Sequence, residues 1–172
     1  MASNVSEGYQ RIGGTRMWGG YAVHNTHTLA EWIEPTAEGW RLFDQYAQRS
    51  GLPKAVWIQI CVVASEPELG TPTLEQVAAV VAITREHAHP EAVLYITGQP
   101  LYEEGHICTF AGEGGPELTD QLAREAAADP NLDLIYPGAF GPLEAEHISA
   151  DTCHATSSGG NLLGEQALGF WG

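Results

Sequence analysis

The chain has 172 residues, enough to bury a core of its own, and 44% apolar with 17% charged content excludes a disordered segment. Seven Lys and Arg stand against 22 Asp and Glu, a net charge of −15, and Lys54 is the single lysine. That balance excludes nucleic acid and anionic membrane surfaces as partners, because both need clustered basic residues.

In chain order, the first regular pattern is a helix from Ala37 to Arg49, carried by Trp40, Phe43 and Tyr46 and closed by Gly51. Ala55 to Val63 is a near-continuous apolar run rich in β-branched residues, the mark of a parallel strand covered on both faces. A helix follows from Pro72-Thr73-Leu74, with Thr73 as its cap and Val77, Val80, Val81 and Thr84 on one face, ending near His87. Ala92 to Thr97 reads as the second strand. Gly115-Pro116 opens a helix carried by Leu118, Leu122 and Ala126, which Asp129-Pro130 stops. Leu132 to Ile135 is a short third strand, and Ser158 to Phe170 a last helix weakened by Gly159, Gly160 and Gly164. Alternating strands and helices predict one α/β domain over residues 1–172, a three-layer α/β/α sandwich with a mostly parallel sheet. The stretches 14–34, 98–115 and 136–157 are long loops, where function concentrates. No apolar run reaches the length of a spanning helix, and Met1-Ala2-Ser3-Asn4 has neither a charged n-region nor an apolar h-region.

The chemistry-bearing stretch lies between the last strand and the last helix. In Asp151-Thr152-Cys153-His154, a carboxylate three residues before an imidazole can hold Nδ1 and leave Nε2 as a general base. The bland reading of that spacing is an N-cap aspartate beside a surface histidine. Near the N-terminus, Ser3-Asn4 is followed by Gly8-Tyr9, Gly13-Gly14 and Met17-Trp18. With Val56-Trp57-Ile58-Gln59-Ile60-Cys61, Ile96-Thr97-Gly98-Gln99-Pro100 and the Asp-x-x-His block, the chain resembles the SGNH (GDSL-type) hydrolases, in a small-x-Ser-Asn variant of the serine context.

The resemblance implies a five-stranded parallel sheet between helices and hydrolysis of carboxylic esters. It implies Ser3 as nucleophile, His154 as base and Asp151 as its orienter; a serine hydroxyl needs such a base to become nucleophilic. The family's oxyanion donors are the serine N–H, a glycine N–H and an asparagine side chain. Here no Gly-x-Asn-Asp follows the strand, so Gln59 or a backbone group near Cys61 stands in for the asparagine and Gly19 or Gly20 for the glycine, with His24-Asn25-Thr26-His27 as a further donor loop. In the family the serine follows an internal strand, yet only two residues precede Ser3. The expectation is therefore an N-terminally truncated reading of a longer protein, or else a rearranged relative with another nucleophile.

Acylated carbohydrate is the expected small-molecule substrate, from loop aromatics Trp18, Tyr21, Trp32 and Tyr102. The alternative is a non-catalytic carbohydrate- or ligand-binding domain on the same fold. No cofactor or metal is expected. His87 and His89 read as helix-end residues, His24 and His27 as loop residues, and Glu66/Glu68, Glu103/Glu104 and Glu144/Glu146 as solvated charge without calcium-loop spacing. Three cysteines are too few for a disulfide scaffold. Cys108 and Cys153 sit in loops leaving the carboxyl ends of neighbouring strands and can approach the roughly 4.4–6.8 Å Cα separation of a bridge. Cys61 is left as a buried thiol, a pattern that favours export over the cytosol.

Overall fold

A computed structural model describes residues 2–15, 28–64 and 70–171. The chain order is α1 (Ala2–Arg11), α2 (Leu29–Trp32), α3 (Glu38–Ser50), β1 (Ala55–Gln59), α4 (Leu74–His87), β2 (Val93–Thr97), α5 (Gly115–Ala128), β3 (Leu134–Ile135) and α6 (Ser157–Trp171), with a 3-10 turn at Ala145–His147. The three strands form one parallel sheet in the order β1-β2-β3, with Trp57 opposite Tyr95, Ile58 opposite Ile96 and Leu94 opposite Leu134. This is an α/β protein. Among the described residues the sheet has three strands rather than the five implied by the resemblance, and no helix is long and apolar enough to cross a membrane.

Strand alternation divides the core. Ile58, Leu94 and Ile96 pack with Val77, Val80 and Val81 of α4 and Leu122, Ala123 and Ala126 of α5 in one cluster. Trp57 and Tyr95 turn the other way and meet Trp171 of α6, with ring centroids 5.3 and 5.7 Å away. The second cluster adds Val5 and Tyr9 of α1, Phe140, Leu143, Leu163 and both Cys108 and Cys153. Helices therefore lie on both faces of the sheet, an arrangement compatible with a three-layer sandwich.

Local chemistry sets the element ends. Thr73 and Gln76 form a reciprocal capping box, Gln76 N–H to Thr73 Oγ1 at 3.3 Å and Thr73 N–H to Gln76 Oε1 at 3.0 Å. Gly51 closes α3 at φ 85°, where its N–H reaches the Ala47 carbonyl. β1 ends four residues earlier than its apolar run, because β2 gives way to Gly98-Gln99-Pro100. Beyond that point the Gln99 side chain accepts from Val62 N–H at 3.1 Å in place of a backbone carbonyl. β3 is only two residues long, since Asp133 precedes it at φ 50° and Pro137 follows. His87 is not a simple helix-end residue. Its Nδ1 lies 2.7 Å from Asp44 Oδ1 and its ring stacks on Trp40, tying α4 to α3.

The segment at 2–11, read as motif rather than as structure, is the helix α1. It lies so close to α6 that a Cβ at Gly8 would fall 1.7 Å from the Gly160 carbonyl oxygen, and one at Gly164 2.4 Å from the Gly8 backbone. Two of the glycines that weaken α6 as an isolated helix, Gly160 and Gly164, are what allow this approach, while Gly159 makes room for the His147 carbonyl. Arg11 closes the pair, donating to Asn161 Oδ1 at 2.9 Å and to the Ser157 carbonyl at 3.3 Å.

Candidate active site

The chain from Ile148 to Ala155 is a tight hairpin. Ile148 and Ala155 form an antiparallel bridge, Ser149 N–H donates to the His154 carbonyl, and Thr152 N–H to the Ser149 carbonyl. Asp151 organises its tip. Oδ1 accepts from the Ser149 hydroxyl at 2.6 Å, from His154 N–H at 2.9 Å and from Cys153 N–H at 3.0 Å. Oδ2 lies 2.5 Å from His154 Nδ1. A carboxylate accepts only, so Nδ1 carries the proton of this bond and Nε2 is left outside it. The Ser149 hydroxyl most of all holds the Asp151 carboxyl well below the usual range; burial opposes it, and the Cys153 N–H, the His154 imidazole and the His154 N–H add to the lowering. Both side chains remain solvent-accessible, His154 at 47% and Asp151 at 38%. The turn contains Thr152 at φ 66°, a left-handed conformation costly for a β-branched residue.

A second segment, 102–110, is stitched to this hairpin. The Cys108–Cys153 disulfide joins them across a Cα separation of 4.6 Å, as the loop placement anticipated. Tyr102 donates its hydroxyl to the Cys153 carbonyl at 2.6 Å, and His106 Nε2–H donates to the Thr152 carbonyl at 2.7 Å. Thr109 N–H reaches Thr152 Oγ1 at 3.2 Å, and Phe110 N–H reaches Cys153 Sγ at 3.3 Å. The strained turn is thus held from outside at its carbonyls, its hydroxyl and its sulfur. Burial, with Asp151 and Cys61 nearby, pushes the Tyr102 hydroxyl far up, so it stays a donor.

Ser3 sits in the first turn of α1, half-buried, its carbonyl accepting from the Ser6 hydroxyl at 3.2 Å. Among the described residues no hydrogen bond joins Ser3 to His154. Val5, two residues on, belongs to the same apolar cluster as Cys153 and Ala155, so the serine's helix and the hairpin share one layer. Gln59 is at the carboxyl end of β1, on the sheet face of Trp57 that this layer covers. Both polar atoms of its side-chain amide are buried without a hydrogen-bond partner, as is Asn4 Oδ1 beside Ser3. Gly20, with Gly19 and the loop from His24 to His27, lies outside the described residues, as do Glu66 and Glu68.

Two of the four aromatics read as substrate contacts have structural duties. Trp32 packs edge-on against Trp40, and Tyr102 is buried under the hairpin. Trp18 and Tyr21 lie outside the described residues. Cys61 is a free thiol just past β1, and burial of its sulfur pushes its titration up. Glu144 and Glu146, read as solvated charge, have carboxylate oxygens within 4.8 Å of a His147 ring nitrogen, in an exposed position. Sequence reasoning missed His106, Thr109 and Phe110, for which only their position in a long loop near a cysteine was a signal. Comparison with protein-family models, with curated proteins and with solved structures finds no match.

Proposed function

We propose that the protein is a serine esterase of the SGNH type, with Ser3 as nucleophile, His154 as general base and Asp151 as its orienter. The observation that carries the reading is the 2.5 Å contact of Asp151 Oδ2 with His154 Nδ1, in a hairpin locked by a disulfide, with Nε2 facing away from that bond. A surface histidine needs no such support, whereas a base that must keep one tautomer and one orientation does. In the reaction, His154 Nε2 takes the Ser3 Oγ proton as the oxygen attacks the ester carbonyl carbon. The oxyanion is met by the unbonded N–H groups of the first turn of α1 and by Gln59 Nε2, with Gly20 as a further donor. Collapse returns the proton to the leaving alcohol, and water attacks the acyl-serine by the same route to release the acid. An acylated carbohydrate is the proposed natural ester. The disulfide suits an oxidising compartment.

Hydrolysis of p-nitrophenyl acetate, with mass-spectrometric mapping of a fluorophosphonate label, tests this reading. Activity lost in Ser3→Ala and in His154→Ala, and label on Ser3, are expected. Activity that survives His154→Ala, or a label on another serine, rejects the assignment. Ester binding without turnover favours a non-catalytic binding domain.

A further inference from the structure

Phe110 is the feature the mechanism leaves unused. It is a large apolar ring, 43% exposed, with its centroid 5.9 Å from the His154 ring. Its backbone is fixed from both sides, the N–H on Cys153 Sγ and the carbonyl accepting from Ala64 N–H at 2.6 Å. A single exposed apolar residue is ordinary on a protein surface. One clamped on a disulfide-anchored segment, against an accessible histidine whose Nδ1 is already taken, is a platform beside a reactive nitrogen. Ile107, 50% exposed on the same segment, lines a cleft of about 280 Å³ between this segment and the start of α5.

Among the described residues the charge on and beside these two segments is mostly acidic, Arg11 at the Ser157 carbonyl being the nearby cation. Glu103, Glu104, Glu113 and Glu117 are exposed on and after the segment, and Glu144 and Glu146 before the hairpin. Glu113 and Glu117 line the cleft. After Arg85 the chain has one Lys or Arg, Arg124, and that side chain is bonded to Asp120. A substrate carrying its own anion would enter this field uncompensated, whereas a neutral or cationic one would not.

We infer that the ester accepted here is uncharged or cationic and lays an apolar face on Phe110. The inference rests on the esterase reading of Asp151 and His154. It includes neutral acylated sugars and excludes those bearing carboxylate, sulfate or phosphate near the scissile bond.

The test compares p-nitrophenyl butyrate with two esters of the same alcohol, mono-p-nitrophenyl succinate and p-nitrophenyl 4-(trimethylammonio)butyrate. The succinate should show kcat/KM about tenfold or more below the other two at low salt, the gap narrowing in high salt as screening sets in. Phe110→Ala should raise KM for the butyrate about five- to tenfold with kcat held, as expected for lost apolar contact, and Phe110→Tyr should restore it. The matching p-nitroanilides, which the site is not expected to cleave, give a binding readout by NMR of the Phe110 ring. If the esters are cleaved only with His154 present but the succinate is as good and Phe110→Ala leaves KM unchanged, this inference fails and the esterase stands. If no ester is cleaved while the neutral anilide shifts Phe110 and the succinyl anilide does not, the platform stands and the esterase fails.

Discussion

Replacing Cys108 and Cys153 together by alanine removes the bond that ties segment 102–110 to the hairpin. The two residues are 45 apart in sequence, and the loop-closure relation for a cross-link of that span gives about 4 kcal/mol of lost stability. Both residues are buried, at 3% and 2% exposure, so alanine introduces no unsatisfied polar group in their place. The Phe110 and Ala111 N–H groups lose their sulfur acceptors as well, which adds to the loss. For a domain of this size the urea midpoint should fall by about 1.5 M, read from tryptophan fluorescence on the oxidised parent and the double variant. Hydrogen exchange should show the amides of 109, 110, 153 and 154 opening in the variant ahead of those in β2. A midpoint shift below about 0.4 M would refute the argument. So would three titratable thiols in the denatured, unreduced parent, where only Cys61 should react.

Asp151→Asn keeps the shape of the hairpin but offers an amide in place of a carboxylate, so His154 loses its fixed tautomer. Ester hydrolysis should fall by about 10⁴-fold with an unchanged circular dichroism spectrum, and near-parental activity would exclude the orienting role. Because the folded Asp151 carboxyl titrates below its unfolded value, its contribution is complete above about pH 4 and is lost only as pH falls through the lower folded value. Exchange rates of the Cys153 and His154 amides should therefore stay flat from neutral pH to about pH 4 once corrected for intrinsic pH dependence. Hairpin opening between about pH 5 and 6 would contradict the bonding around Oδ1. Since the pair is well exposed, the effect should shrink in salt. Gly8→Ala drives a Cβ into the Gly160 carbonyl and should cost about 3 kcal/mol or more in chemical denaturation. Gly169→Ala, in the same helix pair but with nothing within 4 Å of the new atom, should gain about 0.5–1 kcal/mol. Equal effects at the two positions would show that α1 and α6 are not in backbone contact.

Elements that sequence made legible are those where one local rule dominates. Thr73 and Gln76 announce the start of α4, Gly51 the end of α3, and the β-branched runs around Ile58 and Ile96 the two longer strands. What stayed illegible depends on long-range partners. α1 carries two serines and a glycine in ten residues, and its burial comes from a helix more than 140 positions away. The glycines of α6 counted against it until Gly8 came into view. At the site, Asp151 and His154 are neighbours in sequence, and their spacing was enough to pair them. Tyr102 and His106 act through the carbonyls of Cys153 and Thr152, and backbone acceptors leave no trace in side-chain motifs. Tyr102 was read as a substrate contact for that reason. Its hydroxyl points inward to a carbonyl instead of outward to a ligand.

The division of the core into two clusters also orders the assembly of the chain. Strands β1, β2 and β3 with α4 and α5 all come from one stretch of the chain, residues 55–135, so their contacts span less sequence than those of the other cluster. The cluster on the opposite face joins residues 5 and 9 to residues 163 and 167 and cannot form until both ends of the described chain are present. During synthesis the first frame can be complete while α1 still waits for α6 to leave the ribosome. The half of the molecule that holds the hairpin is thus the last to become native. A pause, a reductant or a destabilising change acting late in synthesis would strip the candidate site from an otherwise folded sheet.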